Sequence, residues 1–158
     1  MDQYFGTPLT RSNEAAGSSA GTTTTVTTSR VVPYTIRGKA YRGSALTNQA
    51  FPSTDHTTGS AFTSIAASKA CMLILGRNAA GDLVAAQGPS VDLDTNNNYQ
   101  YAPQFPPIKD TLAPFAYVVC KNGSTGSAWT PGTSNWTATG MTATFVDIND
   151  VPDRPQTS

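Results

Sequence analysis

His56 is the single histidine of this chain, so a catalytic triad would have to be built from Asp55-His56-Thr57 and a distant serine. Nucleophilic catalysis needs a hydroxyl or thiol whose proton an adjacent base can take, and no GxSxG turn is present to hold such a serine. The histidine is expected to be a solvated loop residue. Glu14 is the only glutamate, which leaves no matched carboxylate pair for glycoside hydrolysis. Neither GxxxxGK[ST], nor GxGxxG after a strand, nor a His/Cys cluster at metal spacing occurs. The residues therefore predict a non-enzymatic protein without a resident cofactor or metal.

Asp92, Asp94, Asn96 and Asn98 come nearest to a ligand set, because alternate oxygen donors are how calcium loops begin. The pattern then breaks: the sixth position is Asn97 instead of glycine, and the twelfth is Pro103 instead of a bidentate glutamate. A polar turn is the expectation, with a bound cation as the alternative. Cys71 and Cys120 lack CxxC spacing and read as small buried hydrophobes, with a disulfide left open. Trp129 and Trp136 offer either large apolar contacts, in a core or at a subunit interface, or a stacking platform for sugars. Arg30, Arg37, Lys39 and Arg42 form a short basic stretch with no acid between Glu14 and Asp55. Such a stretch is either a solvated face or a contact for an acidic partner surface. Two sequons, at Asn122 and Asn135, carry meaning only along a secretory route.

The elements that must position these groups are strands. Serine and threonine make up about a quarter of the 158 residues, charged residues only 13%, and no stretch repeats apolar residues at helical spacing for three turns. Ten basic residues balance ten acidic ones, so no global field steers the chain to nucleic acid. No segment approaches the length of an apolar membrane span, and the opening residues have neither a basic start nor an apolar run, which predicts synthesis in a cytosol.

Ala70 to Leu75 is a short, wholly apolar run bounded by Gly76, the pattern of a core strand. Asn78 to Asp82 (NAAGD) supplies turn residues, and Leu83 to Gln87 is the partner strand of a hairpin. Phe115 to Cys120 predicts a second core strand, and Met141 to Ile148 a further one with Met141, Ala143 and Phe145 on one face. Val32, Tyr34 and Ile36 alternate on a first strand whose Pro33 suits an edge. Ala45, Leu46, Phe51, Phe62 and Ile65 are expected core contacts in a mixed region. Residues 1–30 read as a flexible N-terminal arm: Tyr4, Phe5 and Leu9 form an apolar tip, and the threonine-rich Thr22 to Ser29 has only Val26 to bury. Residues 31–150 are the expected body and 151–158 an exposed tail.

The order of an apolar strand, the NAAGD turn, LVAAQGP and then PPIKDTLAPFAYVVCK over residues 60–121 resembles a domain of tailed-bacteriophage virion proteins, namely head decoration (cement) proteins and head fibres. The resemblance implies an all-β fold, a compact antiparallel β-sandwich or jelly-roll, clamped as a homotrimer on the outer capsid surface of the virion against the major capsid protein. It brings no catalytic or ligand-binding residue. Exposed apolar residues including Phe105, Phe115, Trp129 and Trp136 would suit subunit contacts. Tyr4, Phe5, Leu9, Arg30, Arg37, Lys39, Arg42, Trp129 and Trp136 are the expected capsid-contact or interface residues. The alternative function is a receptor- or carbohydrate-binding β-module of a tail or head fibre, with the two tryptophans as its platform.

Overall fold

The apolar run at 70–75 becomes the strand around which the molecule is organised. A computed structural model describes residues 16–148 and contains ten strands, with no helix among the described residues. In chain order they are β1 (Ser18–Ala20), β2 (Thr25–Thr28), β3 (Pro33–Ile36), β4 (Lys39–Arg42), β5 (Gln49–Ala50), β6 (Lys69–Arg77), β7 (Leu83–Gln87), β8 (Val91–Asp92), β9 (Ala113–Asn122) and β10 (Met141–Asp147). A five-stranded antiparallel sheet has the order β10-β9-β6-β7, with β8 pairing the start of β6. A second sheet is β1-β2-β5, and β3-β4 is a separate hairpin. The fold is an all-β antiparallel sandwich.

The hairpin of β6 and β7 pairs Arg77 with Leu83 and Leu73 with Gln87, as the sequence predicts. Its turn is closed by Asn78, whose Oδ1 accepts from the amides of Ala80 and Asp82 at 2.9 Å each. The central strand is apolar without a break because both its faces are covered. Cys71, Leu73 and Leu75 face the larger core with Val26, Phe51, Val118 and Trp136. Met72 and Ile74 face the opposite way, where the proline-rich segment lays Phe105, Ile108 and Leu112 against them together with Tyr117.

Two expectations are corrected. Residues 16–30 are part of the body and not a flexible arm: β1 and β2 pair with each other, and β2 pairs with β5. Val26 and Ala16 are buried, and Thr28 accepts the Leu46 amide through its hydroxyl at 2.8 Å. Threonine suits a pleated layer, and partners distant in sequence supply the burial that the segment lacks alone. Tyr4, Phe5 and Leu9, and the tail 151–158, lie outside the described residues. Ala45 is exposed, whereas Leu46, Phe51, Phe62 and Ile65 are core residues as expected.

Candidate functional site

Three of the four basic residues, Arg37, Lys39 and Arg42, are carried by the β3-β4 hairpin. Its two-residue turn is Arg37-Gly38, with φ of 50° and 78°, the positive pair that lets a tight hairpin follow the twist of its strands. Glycine meets that demand freely, and Arg37 is thereby held at the tip with its side chain in solvent. Val32, Tyr34 and Ile36 are buried as their alternation predicts, and Tyr34 and Ile36 anchor the hairpin against Ala113. The Tyr34 hydroxyl donates to the Asn78 carbonyl at 3.0 Å. Tyr41 stacks on Tyr34 with centroids 5.4 Å apart, and the Lys39 ammonium lies 5.4 Å from the Tyr41 ring centre.

Arg37 makes a two-pronged pair with Asp110, Nε to Oδ2 at 2.9 Å and Nη2 to Oδ1 at 3.0 Å. That hydrogen bond pulls the Asp110 carboxyl below its ordinary value. Both groups are largely exposed, so the pair orients the tip more than it stabilises the fold. Among the described residues no carboxylate stands within ion-pair distance of Lys39 or Arg42, and both are exposed. Arg30 is exposed on the connection between β2 and β3. Lys39 is thus the cation beside the stacked tyrosine pair, while Arg42 projects from the other face of the hairpin; exposed cations of this kind suit an acidic surface.

Of the readings open for Trp129 and Trp136, burial in the core is the one observed, which corrects their assignment as an exposed platform or interface. Trp129 is 1% exposed and Trp136 4%, their rings tilted against each other at 5.1 Å. Trp136 also meets Phe51 and Phe145 edge-on. Each indole N–H is committed, Trp129 to the Asn135 carbonyl at 2.8 Å and Trp136 to the Thr25 carbonyl at 2.9 Å. Phe115 is buried as well.

The remaining groups with chemical potential serve the fold. Asp55 is buried and accepts from the amides of Thr57 and Thr58 through Oδ1 and of Gln87 through Oδ2. His56 is half-buried and its Nε2 lies 2.9 Å from the Thr111 hydroxyl. A base thus meets a hydroxyl, but the neighbouring carboxylate is spent on backbone amides instead of orienting the ring. Asp94 closes the polar turn that the sequence predicts, accepting from the amides of Asn96 and Asn98. The Asn98 bond chiefly lowers its pKa. Asn97 takes the left-handed conformation, φ 61°. No group of three or more potential metal ligands occurs among the described residues. Cys71 and Cys120 face each other directly across β6 and β9, both buried and both free thiols.

Three residues escape sequence reasoning. Asp147 takes the amides of Gly17 at 2.7 Å and Ser18 at 2.9 Å, and also the Ser18 hydroxyl, which fastens the first strand to the last. Asn122 is wholly buried and donates to the carbonyls of Ile65 and Ser127, and its Oδ1 lies where a Cβ on Gly126 would stand. Tyr101 is 73% exposed on the proline-rich segment. Only Tyr101 had a visible signal, an aromatic among prolines and polar residues.

No protein-family model matches this chain, and no curated protein or solved structure matches it either.

Proposed function

We propose that the chain is a non-enzymatic structural protein of a bacteriophage virion, a decoration or cement protein that binds the outside of the head and stabilises the shell. The observation that carries this reading is the β3-β4 hairpin, where Lys39 and Arg42 stand exposed without a carboxylate partner among the described residues. The major capsid protein is the partner. An acidic patch on it attracts the hairpin, and such complementarity sets orientation and encounter rate more than affinity.

The second contact is the segment bearing Tyr4, Phe5 and Leu9, which enters the body at Ala16, beside Asp147. Two weak contacts on one molecule reinforce each other because the second forms at high effective concentration. Equal numbers of acidic and basic residues argue against nucleic acid as partner. The location is the outer capsid surface, after synthesis in the host cytoplasm. Of the residues that spoke for a trimer, Trp129, Trp136 and Phe115 are buried within one chain and Phe105 is partly buried against its core, so three copies rest on the resemblance. The carbohydrate-binding alternative loses its platform with the same burial.

The test is binding to capsids stripped of the protein. Deleting residues 2–15, which stops short of Ala16 and spares β1, should weaken binding at least about tenfold, or ~1.4 kcal/mol. Lys39→Glu with Arg42→Glu should weaken it comparably and flatten its salt dependence. Circular dichroism establishes that both variants are folded. Unchanged affinity in both variants, or wild-type protein that does not bind the shell, overturns the reading.

A further inference from the structure

Cys71 and Cys120 stand directly opposite each other on the two central strands, and the parity of the ladder fixes what kind of pair they make. The Gly88 amide donates to the Met72 carbonyl at 2.7 Å, so Met72 turns its backbone groups toward β7 and Cys71 turns its own toward β9. On the other strand the Gly123 amide donates to the Gly140 carbonyl at 2.8 Å, which assigns Gly123 to β10 and, by alternation, Cys120 to β6. The two cysteines are thus a hydrogen-bonded pair of an antiparallel ladder, whose Cα atoms stand about 5.5 Å apart. A disulfide spans roughly 4.4–6.8 Å between Cα atoms, so this pair can be bridged where it stands. Both side chains project into the larger core, and the two thiols hydrogen-bond each other.

The fold shields the pair. Both residues are 0% exposed. On the side of a cleft lined by Asp55, Thr58, Thr63 and Pro89, the Gln87 side chain lies against Cys71, with Nε2 3.7 Å from Sγ. Thr63 pins that side chain, its amide donating to Oε1 and its carbonyl accepting from Nε2, each at 2.8 Å. Burial also keeps the Cys120 thiol protonated, and only a thiolate attacks.

We propose that Cys71 and Cys120 form a redox site that is set only while the chain is open: a low-molecular-weight disulfide oxidises the pair in the opened chain, and folding then seals whichever state, dithiol or disulfide, is present. One cysteine thiolate attacks the small disulfide, which forms a mixed disulfide and releases one thiol. The facing cysteine then attacks the protein sulfur of that mixed disulfide, closing the internal bond and releasing the second thiol. Two electrons pass from the cysteine sulfurs to the small disulfide, and the two thiol protons leave on its halves. Because the strands set the sulfurs face to face, the second exchange is intramolecular, and the internal bond outcompetes mixed disulfides. A chain folded under reducing conditions therefore keeps its dithiol when its surroundings become oxidising. This site stands independently of the virion reading.

The full chain should be incubated with an oxidising glutathione buffer at the midpoint of its urea transition, where each molecule opens and recloses repeatedly, and in the same buffer without urea. After urea is removed from the first sample, its intact mass should be lower by two hydrogens, and peptide mapping should join residue 71 to residue 120. Its far-ultraviolet spectrum should match that of the dithiol protein. Without urea the pair should oxidise at least about a hundredfold more slowly, because only rare open molecules react. Mixed disulfides in place of the internal bond, a dithiol that persists at the midpoint, or an oxidised product without the native spectrum overturns the proposal. Oxidation as fast without urea as at the midpoint also overturns it.

Discussion

The five-stranded sheet and the three-stranded β1-β2-β5 layer solve the same problem by opposite means. In the larger sheet, β6 and β9 bury apolar side chains on both faces, from Ala70 to Leu75 and from Phe115 to Val118. The smaller layer buries little of its own beyond Ala16, Val26 and Thr28 and is fastened by polar bonds to remote chain. Asp147 holds β1, the Trp136 indole holds β2 through the Thr25 carbonyl, and the Thr28 hydroxyl holds the Leu46 amide. Burial is cumulative and its loss spreads through the packed core, whereas a clasp of hydrogen bonds leaves specific unpaired groups at one place when a partner goes.

This contrast can be broken most severely at Leu73, which is wholly buried in the central strand. Leu73→Asp places an unpaired carboxylate in the core, and the expected outcome is a chain with no cooperative thermal transition. Leu73→Ala should cost ~2–5 kcal/mol through lost burial and a residual cavity, measured by urea unfolding.

Trp136 joins the two layers, so its replacement reports on their junction. Trp136→Ala should destabilise by about 3–5 kcal/mol. Hydrogen exchange should rise in β2 along with the core, because the Thr25 carbonyl loses its donor. A uniform loss across both layers would show that they unfold as one unit.

A purely polar break is available at Asp147. Asp147→Ala strands the amides of Gly17 and Ser18, and the expected cost is ~1–3 kcal/mol. The effect should be local: proteolysis after residue 16 accelerates while exchange in β6 and β9 is unchanged.

The smallest expected effect concerns the facing thiols. Burial raises the pKa of Cys120 well above its ordinary value, with the hydrogen bond and charge of Cys71 adding to it. The unfolded chain then releases this proton at lower pH than the folded one. Stability is fully present below the ordinary thiol range and falls as pH rises through it. Urea midpoints of wild type and Cys120→Ala, compared between neutral pH and the onset of tyrosine ionisation, should show a shallower decline in the variant. Neither thiol should react with a water-soluble disulfide reagent until the protein unfolds.

The hairpin of β6 and β7 and the strand β9 were legible because their signals are local. An unbroken apolar run, a turn built from Asn78 to Asp82 and a second apolar run leave few other conformations that bury so much. The alternation in β3 and β10 was legible for the same reason. Residues 16–30 were not, since TTTTVTT carries no apolar stripe and its holding partners, Trp136 and Asp147, lie 111 and 130 positions away along the chain. Ala45 misled because a small apolar residue beside Leu46 is indistinguishable from it by type alone.

Of the candidate site, the sequence brought Arg30, Arg37, Lys39 and Arg42 together by proximity, and the turn at Arg37-Gly38 places the last three on one hairpin. It could not separate a buried tryptophan pair from an exposed one. Indole suits either setting, and the choice lies in whether distant carbonyls come within reach of its N–H. The sequence by itself determined an all-β chain, its central strands and the absence of the familiar catalytic and phosphate-binding motifs, because composition and period are properties of neighbours. Only tertiary structure decided that the threonine-rich segment joins the body and that both tryptophans are core, because each depends on contacts between residues far apart in the chain.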